Sequence, residues 1–587
     1  MKEGFSAEGG ISTGLRRRDL LRIGVTAATA TAAARLLGGT VPFAEAARAT
    51  HIPFAESAPA TGIEEATIAQ LQAAMAAGRL SARSLVRMYL ARVERLDENG
   101  PELNSILEVN PDARAIARQL DDERRRDHVR GPLHGIPILL KDNIDTHDRM
   151  QTGAGSLALV GTPPLQDSTV AARLREAGAV ILGKTNMSEW ANFRSFHSSS
   201  GWSGRAGQCL NPYFLDRNPC GSSSGSGIAP SANLCAASIG TETDGSVVCP
   251  ATACGVVGIK PTVGLTSRAG VVPIAHSQDT VGVHARTVAD AAAVLDAIVS
   301  RTPDPRDPAT SAGRDKIPRN YVEFIDPNGL KGARIGVARE GVSGYSEETD
   351  RVFEEAIAAM RSAGAEVIDP ADIPTIGQIN QGVEEITVLV FEFKRDLNAY
   401  LATRTGVPVR TLADAIQFNL DHAVQELKWF LQELFDFAES DPFNTATYLD
   451  ALARERRLGG QDGIDAVLQT FRLDAIVAPT GSPAWTIDLV NGDHFLGASS
   501  SPAAIAGYPL INVPAGTAFG VPVGITFMGT AFGEPGLIKL ASGFEAVTRA
   551  RRKPQFLPTL PLNESVRVRH DDHERRPQRT GPTLRQL

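Results

Sequence analysis

Between Ala66 and Glu98 apolar residues recur at three- and four-residue steps, the period of helices that bury one face, and helical periodicity begins near Ile63. From Gly131 to Asn143 the pattern changes to that of a strand and a turn. Ser168 to Ala177 is helical again and leads into Ala179-Val180-Ile181-Leu182, a short glycine-bounded run that suits a strand covered on both faces. The same order, helix then strand, recurs from Arg351 to Ile368. Lys331 to Val337 and Asp474 to Pro479 are further strand candidates. Helices alternating with buried strands predict an α/β layered architecture.

Other segments read differently. Residues 302–329 are polar and Pro-rich, which suits a connector. Residues 372–470 are mainly helical, with an aromatic-rich patch at Leu427, Trp429, Phe430, Leu434, Phe435 and Phe437. That patch predicts helix packing; a lid or channel wall over an active site is the alternative. Residues 47–62 read as a linker, and the charged, Arg-rich tail after Asn563 is expected to be disordered.

The N-terminus carries a targeting pattern. Arg16-Arg17-Arg18-Asp19-Leu20-Leu21-Arg22 resembles a twin-arginine export motif, Ile23 to Ala34 is weakly apolar, and Ala44-Glu45-Ala46 offers a small-x-small cleavage site. Residues 1–46 are therefore set apart as a signal peptide, and a periplasmic or secreted protein is expected. The run is too short and polar to span a bilayer, so no stable membrane insertion is expected.

Composition adds limits. At 587 residues and 42% hydrophobic content there is ample material for a large core, while a net charge of -8 offers no basic face for nucleic acid. Lysine is scarce beside arginine, so a lysine in an apolar setting stands out. The five cysteines, Cys209, Cys220, Cys235, Cys249 and Cys254, cannot all pair within one chain. Buried free thiols are expected for most, and Cys249 with Cys254 is the first pair to test for a disulfide.

Literal motif matches fail on context. Gly178 to Thr185 satisfies G-x-x-x-x-G-K-[ST], but its interior residues form a strand rather than a phosphate-cradling loop. Gly221-Ser222-Ser223-Ser224-Gly225 satisfies G-x-S-x-G, yet a turn-like stretch precedes it, and neither His276 nor His284 has an evident acidic partner. The histidines are scattered without H-E-x-x-H, His134 reads as a structural imidazole, and no metal or other cofactor is expected.

What remains is Lys141 in Gly135-Ile136-Pro137-Ile138-Leu139-Leu140-Lys141-Asp142-Asn143, Ser222 in Cys220-Gly221-Ser222-Ser223-Ser224-Gly225-Ser226-Gly227, and Ser246 in Gly240-Thr241-Glu242-Thr243-Asp244-Gly245-Ser246. Polar residues in glycine-rich or apolar surroundings suit a nucleophile, a proton relay and a base for acyl transfer. This constellation resembles the amidase signature family. The likeness extends to Gly183-Lys184-Thr185-Asn186-Met187-Ser188-Glu189, Gly258-Ile259-Lys260-Pro261-Thr262, Ser277-Gln278-Asp279-Thr280-Val281-Gly282 and Gly520-Val521-Pro522-Val523-Gly524-Ile525, covering about Ile63 to Lys553.

The resemblance implies a single large α/β/α domain over residues 63–562, with a mixed central sheet covered by helices. It implies Ser246 as nucleophile, Ser222 as relay after a cis Gly221–Ser222 bond, and Lys141 as base. A buried lysine can serve as base because a dry pocket penalises its ammonium form. The backbone amides of Thr243, Asp244, Gly245 and Ser246 would form the oxyanion hole, in a turn that Gly245 permits. Lys184 and Lys260 are expected to be structural. Cys220, Glu242 and Asp244 depart from the commoner family pattern of glycine, aspartate and glycine, and the last sits in the oxyanion turn. These departures, with Ser188 to Arg194 and Ser198 to Ser203, resemble the bacterial peptide amidase branch, whose members release ammonia from C-terminal peptide carboxamides. Small aliphatic or aryl amides are the alternative substrates, and a non-catalytic amide- or peptide-binding protein is the rival reading.

Overall fold

Strands that read as unbroken apolar runs need cover on both faces, and the sheet is built to supply it. The computed structural model describes residues 62–561. The proposed signal peptide, nearly all of the linker and the charged tail lie outside the described residues. In chain order the strands are β1 (Ile106–Val109), β2 (Pro137–Lys141), β3 (Val180–Thr185), β4 (Trp202–Ser203), β5 (Gly207–Gln208), β6 (Ala237–Glu242) and β7 (Val257–Lys260). They continue with β8 (Thr280–Ala285), β9 (Arg334–Val337), β10 (Glu366–Ile368), β11 (Ala475–Pro479), β12 (Leu510–Ala518) and β13 (Val521–Met528).

Eleven of these form one sheet in the order β1-β3-β2-β6-β8-β7-β12-β13-β11-β9-β10, while β4 and β5 make a small hairpin. The sheet is mixed. β3, β2 and β6 run parallel, as do β11, β9 and β10, with antiparallel pairing between the two groups. The parallel pairs follow from crossovers through helices, Thr169–Glu176 between β2 and β3 and Glu347–Ser362 between β9 and β10. β12 and β13 are joined tightly, with Phe519 and Gly520 both at positive φ (53° and 84°), as a two-residue hairpin turn requires. The interior strands β2, β3, β6, β7, β8, β11 and β13 are buried along their whole length, and the edge strands β1 and β10 are not. The described residues therefore form a single large α/β domain, with the layering that the alternating pattern implies.

The helical stretch from Ala66 is two helices, Ile68–Ala76 and Ala82–Arg92, each opened by a capping box, on Thr67 and Ser81. Residues 302–329 hold turns and short 3-10 segments. Between 372 and 470 the long helix Val383–Thr403 is followed by Leu412–Asp421, Glu433–Glu439 and Thr445–Arg456. Phe430, Leu434 and Phe435 of the aromatic patch pack inward, with Phe435 meeting Trp190 edge-on and Phe430 meeting Trp202, while Phe437 is exposed. Among the described residues no helix is long and apolar enough to cross a membrane.

Candidate active site

β2 and β6 are parallel neighbours with Leu140 opposite Ile239, so their carboxyl ends finish side by side. In open α/β sheets that edge is where ligands bind. Lys141 is the last residue of β2, and Thr241 stands one residue from the end of β6. Ser222 arrives from the loop before the helix Ser224–Ser231, after a cis Gly221–Ser222 peptide bond.

The three segments meet through hydrogen bonds. Lys141 Nζ donates to Ser222 Oγ at 2.8 Å and to Thr241 Oγ1 at 2.9 Å, with Thr241 O at 3.3 Å. Asn143 Nδ2 donates to the same Thr241 hydroxyl at 2.9 Å, which fills both of its lone pairs and fixes where the lysine can point. Lys141 and Ser222 are 0% exposed. Burial pushes the Lys141 ammonium down from 10.5 to about 7, against the opposing pull of Asp279 and Glu242. A lysine so placed is available in its neutral, proton-accepting form near neutral pH.

Ser246 lies in the turn between β6 and the helix Val248–Ala253 and is 9% exposed, the most accessible of the three. Gly245 takes φ 78°, a backbone that other residues rarely adopt. Glu242 Oε2 accepts from the amides of Val247 and Val248, at 2.7 and 3.0 Å, and Thr243 Oγ1 donates to Asp279 Oδ1 at 2.6 Å. Among the described residues no hydrogen bond occupies the amides of Asp244, Gly245 and Ser246. Ser223 N–H donates to Ser246 O at 3.2 Å, joining the two serine loops through the backbone.

A disulfide makes a second tie. It links Cys220, two residues before Ser222, to Cys249, three residues after Ser246, with 5.8 Å between Cα atoms. The expected candidate pair Cys249–Cys254 is not formed, and Cys254 is a buried free thiol. Those two residues bracket one helical turn, and a five-residue step places side chains about 140° apart around the axis.

The Amidase family profile matches residues 84–538. A probable amidase of Arabidopsis thaliana is 46% identical over 503 residues, covering 84% of this chain and 92% of that protein. The native peptide amidase of Stenotrophomonas maltophilia superposes with a TM-score of 0.79 at 50% identity, over 84% of this chain and 99% of that one. The chain belongs to the amidase family. An amidase family protein of Bacillus anthracis is also similar, with a TM-score of 0.76 at 35% identity, over 84% of this chain and 93% of that one.

In this amidase the other sequence candidates have separate duties. Ser223 Oγ is held by β6, donating to Thr241 O at 3.0 Å and accepting from Thr241 N at 3.2 Å. Lys184 Nζ donates to Ile144 O and to Thr152 Oγ1, and Lys260 Nζ to Tyr508 O. His134 Nε2 pairs with Leu120 O at 2.9 Å. His284 Nε2 pairs with Val247 O at 2.9 Å, and burial pushes its pKa down to about 3. His276 does have acidic partners, Asp396 at 2.9 Å and Glu392 at 3.3 Å, because the helix Val383–Thr403 brings them to it. It touches none of the site serines.

Sequence reasoning gave no role to Thr241, Asn143 or Asp279. Thr241 stands in the same motif as Ser246, but only the parallel register of β2 and β6 reveals that it faces Lys141. A cavity of about 700 Å³, lined in part by Arg268, His276, Asp279, Tyr400 and Arg404, meets the site at Asp279.

Proposed function

We propose that this amidase hydrolyses C-terminal carboxamides of peptides to the free acid and ammonia, with Ser246 as nucleophile, Ser222 as relay and Lys141 as base. The observation that carries the reading is the 2.8 Å contact of a fully buried Lys141 with Ser222, on the loop clipped to the helix that follows Ser246. Ser246 Oγ attacks the amide carbonyl while its proton passes to Ser222 and the Ser222 proton to neutral Lys141. The carbonyl oxygen, now negative, faces the amides of Thr243, Asp244, Gly245 and Ser246. Collapse breaks the C–N bond, and Lys141 returns the proton through Ser222 to the nitrogen, which leaves as ammonia. Water then attacks the ester, its proton follows the same path, and cleavage of the C–O bond restores the Ser246 hydroxyl.

Two features support a peptide substrate. One is the likeness to the Stenotrophomonas peptide amidase. The other is the exposed pair Phe495 and Leu496, on a loop fastened beside the relay loop because Asp493 accepts from Asn218 at 3.0 Å and Trp485 at 3.1 Å. An apolar rim suits a peptide side chain better than a bare small amide. The Cys220–Cys249 disulfide supports an oxidising compartment, hence export under the signal of residues 1–46; fractionation of cells tests that directly.

The deciding assay uses a C-terminally amidated dipeptide, with ammonia and intact peptide mass as readouts. Ammonia released with the internal bond uncut is expected, together with loss of turnover in folded Ser246→Ala. Turnover of simple amides alone would remove the peptide reading and keep the chemistry, whereas full activity in Ser246→Ala would remove the nucleophile assignment.

A further inference from the structure

Asp244 stands in the nucleophile turn, two residues before Ser246. The hydroxyls of Ser500 and Ser501 each donate to one of its carboxyl oxygens, at 2.5 and 2.6 Å. Facing it within hydrogen-bond reach is Glu385, in the first turn of the helix Val383–Thr403. Gln278 Nε2 donates to Glu385 Oε1 at 3.0 Å. Asp244 and Glu385 are half-buried, so each keeps some contact with solvent. Gln278 is fully buried, and its Oε1 has no partner among the described residues.

A third carboxyl lies behind the pair. Glu455 is fully buried, neither of its oxygens has a hydrogen-bond partner among the described residues, and Glu385 is its strongest charged neighbour. Burial, reinforced by Asp244, pushes Glu385 up to about 8; burial, reinforced by Glu385, pushes Glu455 up to about 10. Among the described residues no lysine or arginine forms an ion pair with any of the three. Arg456 acts on Glu455 and Lys260 on Asp244 only at longer range, so three carboxyls and an amide oxygen lie near one another with no cation paired to them. Unpartnered acceptors in a half-dry setting are costly, and their complement is a group that only donates: an ammonium with three N–H, or a guanidinium with five.

We propose that Asp244, Glu385 and Gln278 form a subsite beside Ser246 that binds a cationic amine or guanidinium group of the amide substrate. The proposal rests on the amidase reading of Ser246 and adds a charge preference to it. On binding, Glu385 releases its proton to solvent and pairs with the incoming cation. That cation has two sources, the α-ammonium of an amino-acid amide or the side chain of a basic residue.

The test compares kcat/KM within two substrate pairs, using the full-length purified protein. N-acetyl-arginine amide against N-acetyl-citrulline amide isolates the side-chain charge; leucine amide against N-acetyl-leucine amide isolates the α-ammonium. In at least one pair the cationic member is expected to be preferred by about tenfold or more, the scale of one charge-assisted contact. Glu385→Gln and Asp244→Asn should each bring that ratio close to one. A ratio within one variant is unaffected by the fraction of protein that folds. Ratios near one in the wild type, with neutral amides turned over, overturn the subsite and leave the amidase reading intact. A preference that survives both substitutions also overturns it, and ammonia from none of the four substrates would remove both readings together.

Discussion

Lys141 and Lys184 stand on neighbouring strands, with Leu140 of β2 opposite Lys184 of β3 and Lys141 opposite Thr185. Both are 0% exposed, and burial lowers both ammonium groups. Their partners differ. Lys184 is opposed in that shift by Asp142, Asp148, Asp145 and Glu108, and it donates to a backbone carbonyl and a threonine hydroxyl. Around Lys141 only Asp279 and Glu242 oppose burial, and its donors go to the hydroxyls of Ser222 and Thr241. Equal burial does not make equal function. Lys184 sits among carboxyls that favour its charge, while Lys141 faces hydroxyls that can pass a proton on.

Replacing each lysine by methionine should separate the two. Lys141→Met is expected to lower kcat about a thousandfold, the scale of a lost general base, without loss of thermal stability. Lys184→Met should leave the buried Ile144 carbonyl without its lysine donor and cost about 1–3 kcal/mol of stability, with a far smaller effect on kcat. Calorimetry and initial rates on the same preparations decide it. Equal loss of activity in both variants at unchanged melting temperature would break the contrast.

Much of this contrast was invisible in the sequence. Strands β2, β3, β9 and β11 read directly from apolar runs because helices cover both their faces. β6, β7 and β8 did not, because close-packed helices replace large side chains there with small ones. A Cβ on Gly240 would stand 2.8 Å from Ser223 Oγ, and one on Gly258 would stand 2.6 Å from Ala251 Cβ. The motifs singled out Lys141, Ser222 and Ser246, and the structure brings the first two into contact at 2.8 Å. The Lys141–Thr241 contact and the Cys220–Cys249 bond were not, since both depend on strand order and on how two distant loops meet.

The disulfide sharpens the comparison from the other side. The Ser222 loop is clipped to the helix after Ser246 by a bond spanning 29 residues, whereas Lys184 binds Ile144 and Thr152 of the segment that follows β2. Cys220→Ser with Cys249→Ser should cost about 3.6 kcal/mol of stability, from the closed loop alone. Activity should fall as well, since the clip holds together the segments proposed as relay and nucleophile. Denaturant melts and rates, with and without reductant on the wild type, measure both. Unchanged activity in the folded double variant would show that the Ser223 N–H to Ser246 O bond aligns the loops unaided.

With Lys141 near 7, kcat/KM should fall about tenfold per pH unit below that value and level off above it, as one proton leaves the base. The stability consequence has a definite sign. The folded pKa lies below the unfolded value of 10.5, so between about 7 and 10.5 the unfolded chain holds a proton that the folded one has released. Stability therefore rises with pH across that window, and the full cost of burying the charge is felt below pH 7. Wild type and Lys141→Met should differ most at pH 6 and converge toward pH 10, which matched denaturant melts at the two ends will read. Lys184→Met supplies the control, because the carboxyls around that lysine oppose its shift and narrow its window. Should the Lys141 gap stay constant with pH, the lysine is not titrating in the folded state and the base must be sought elsewhere.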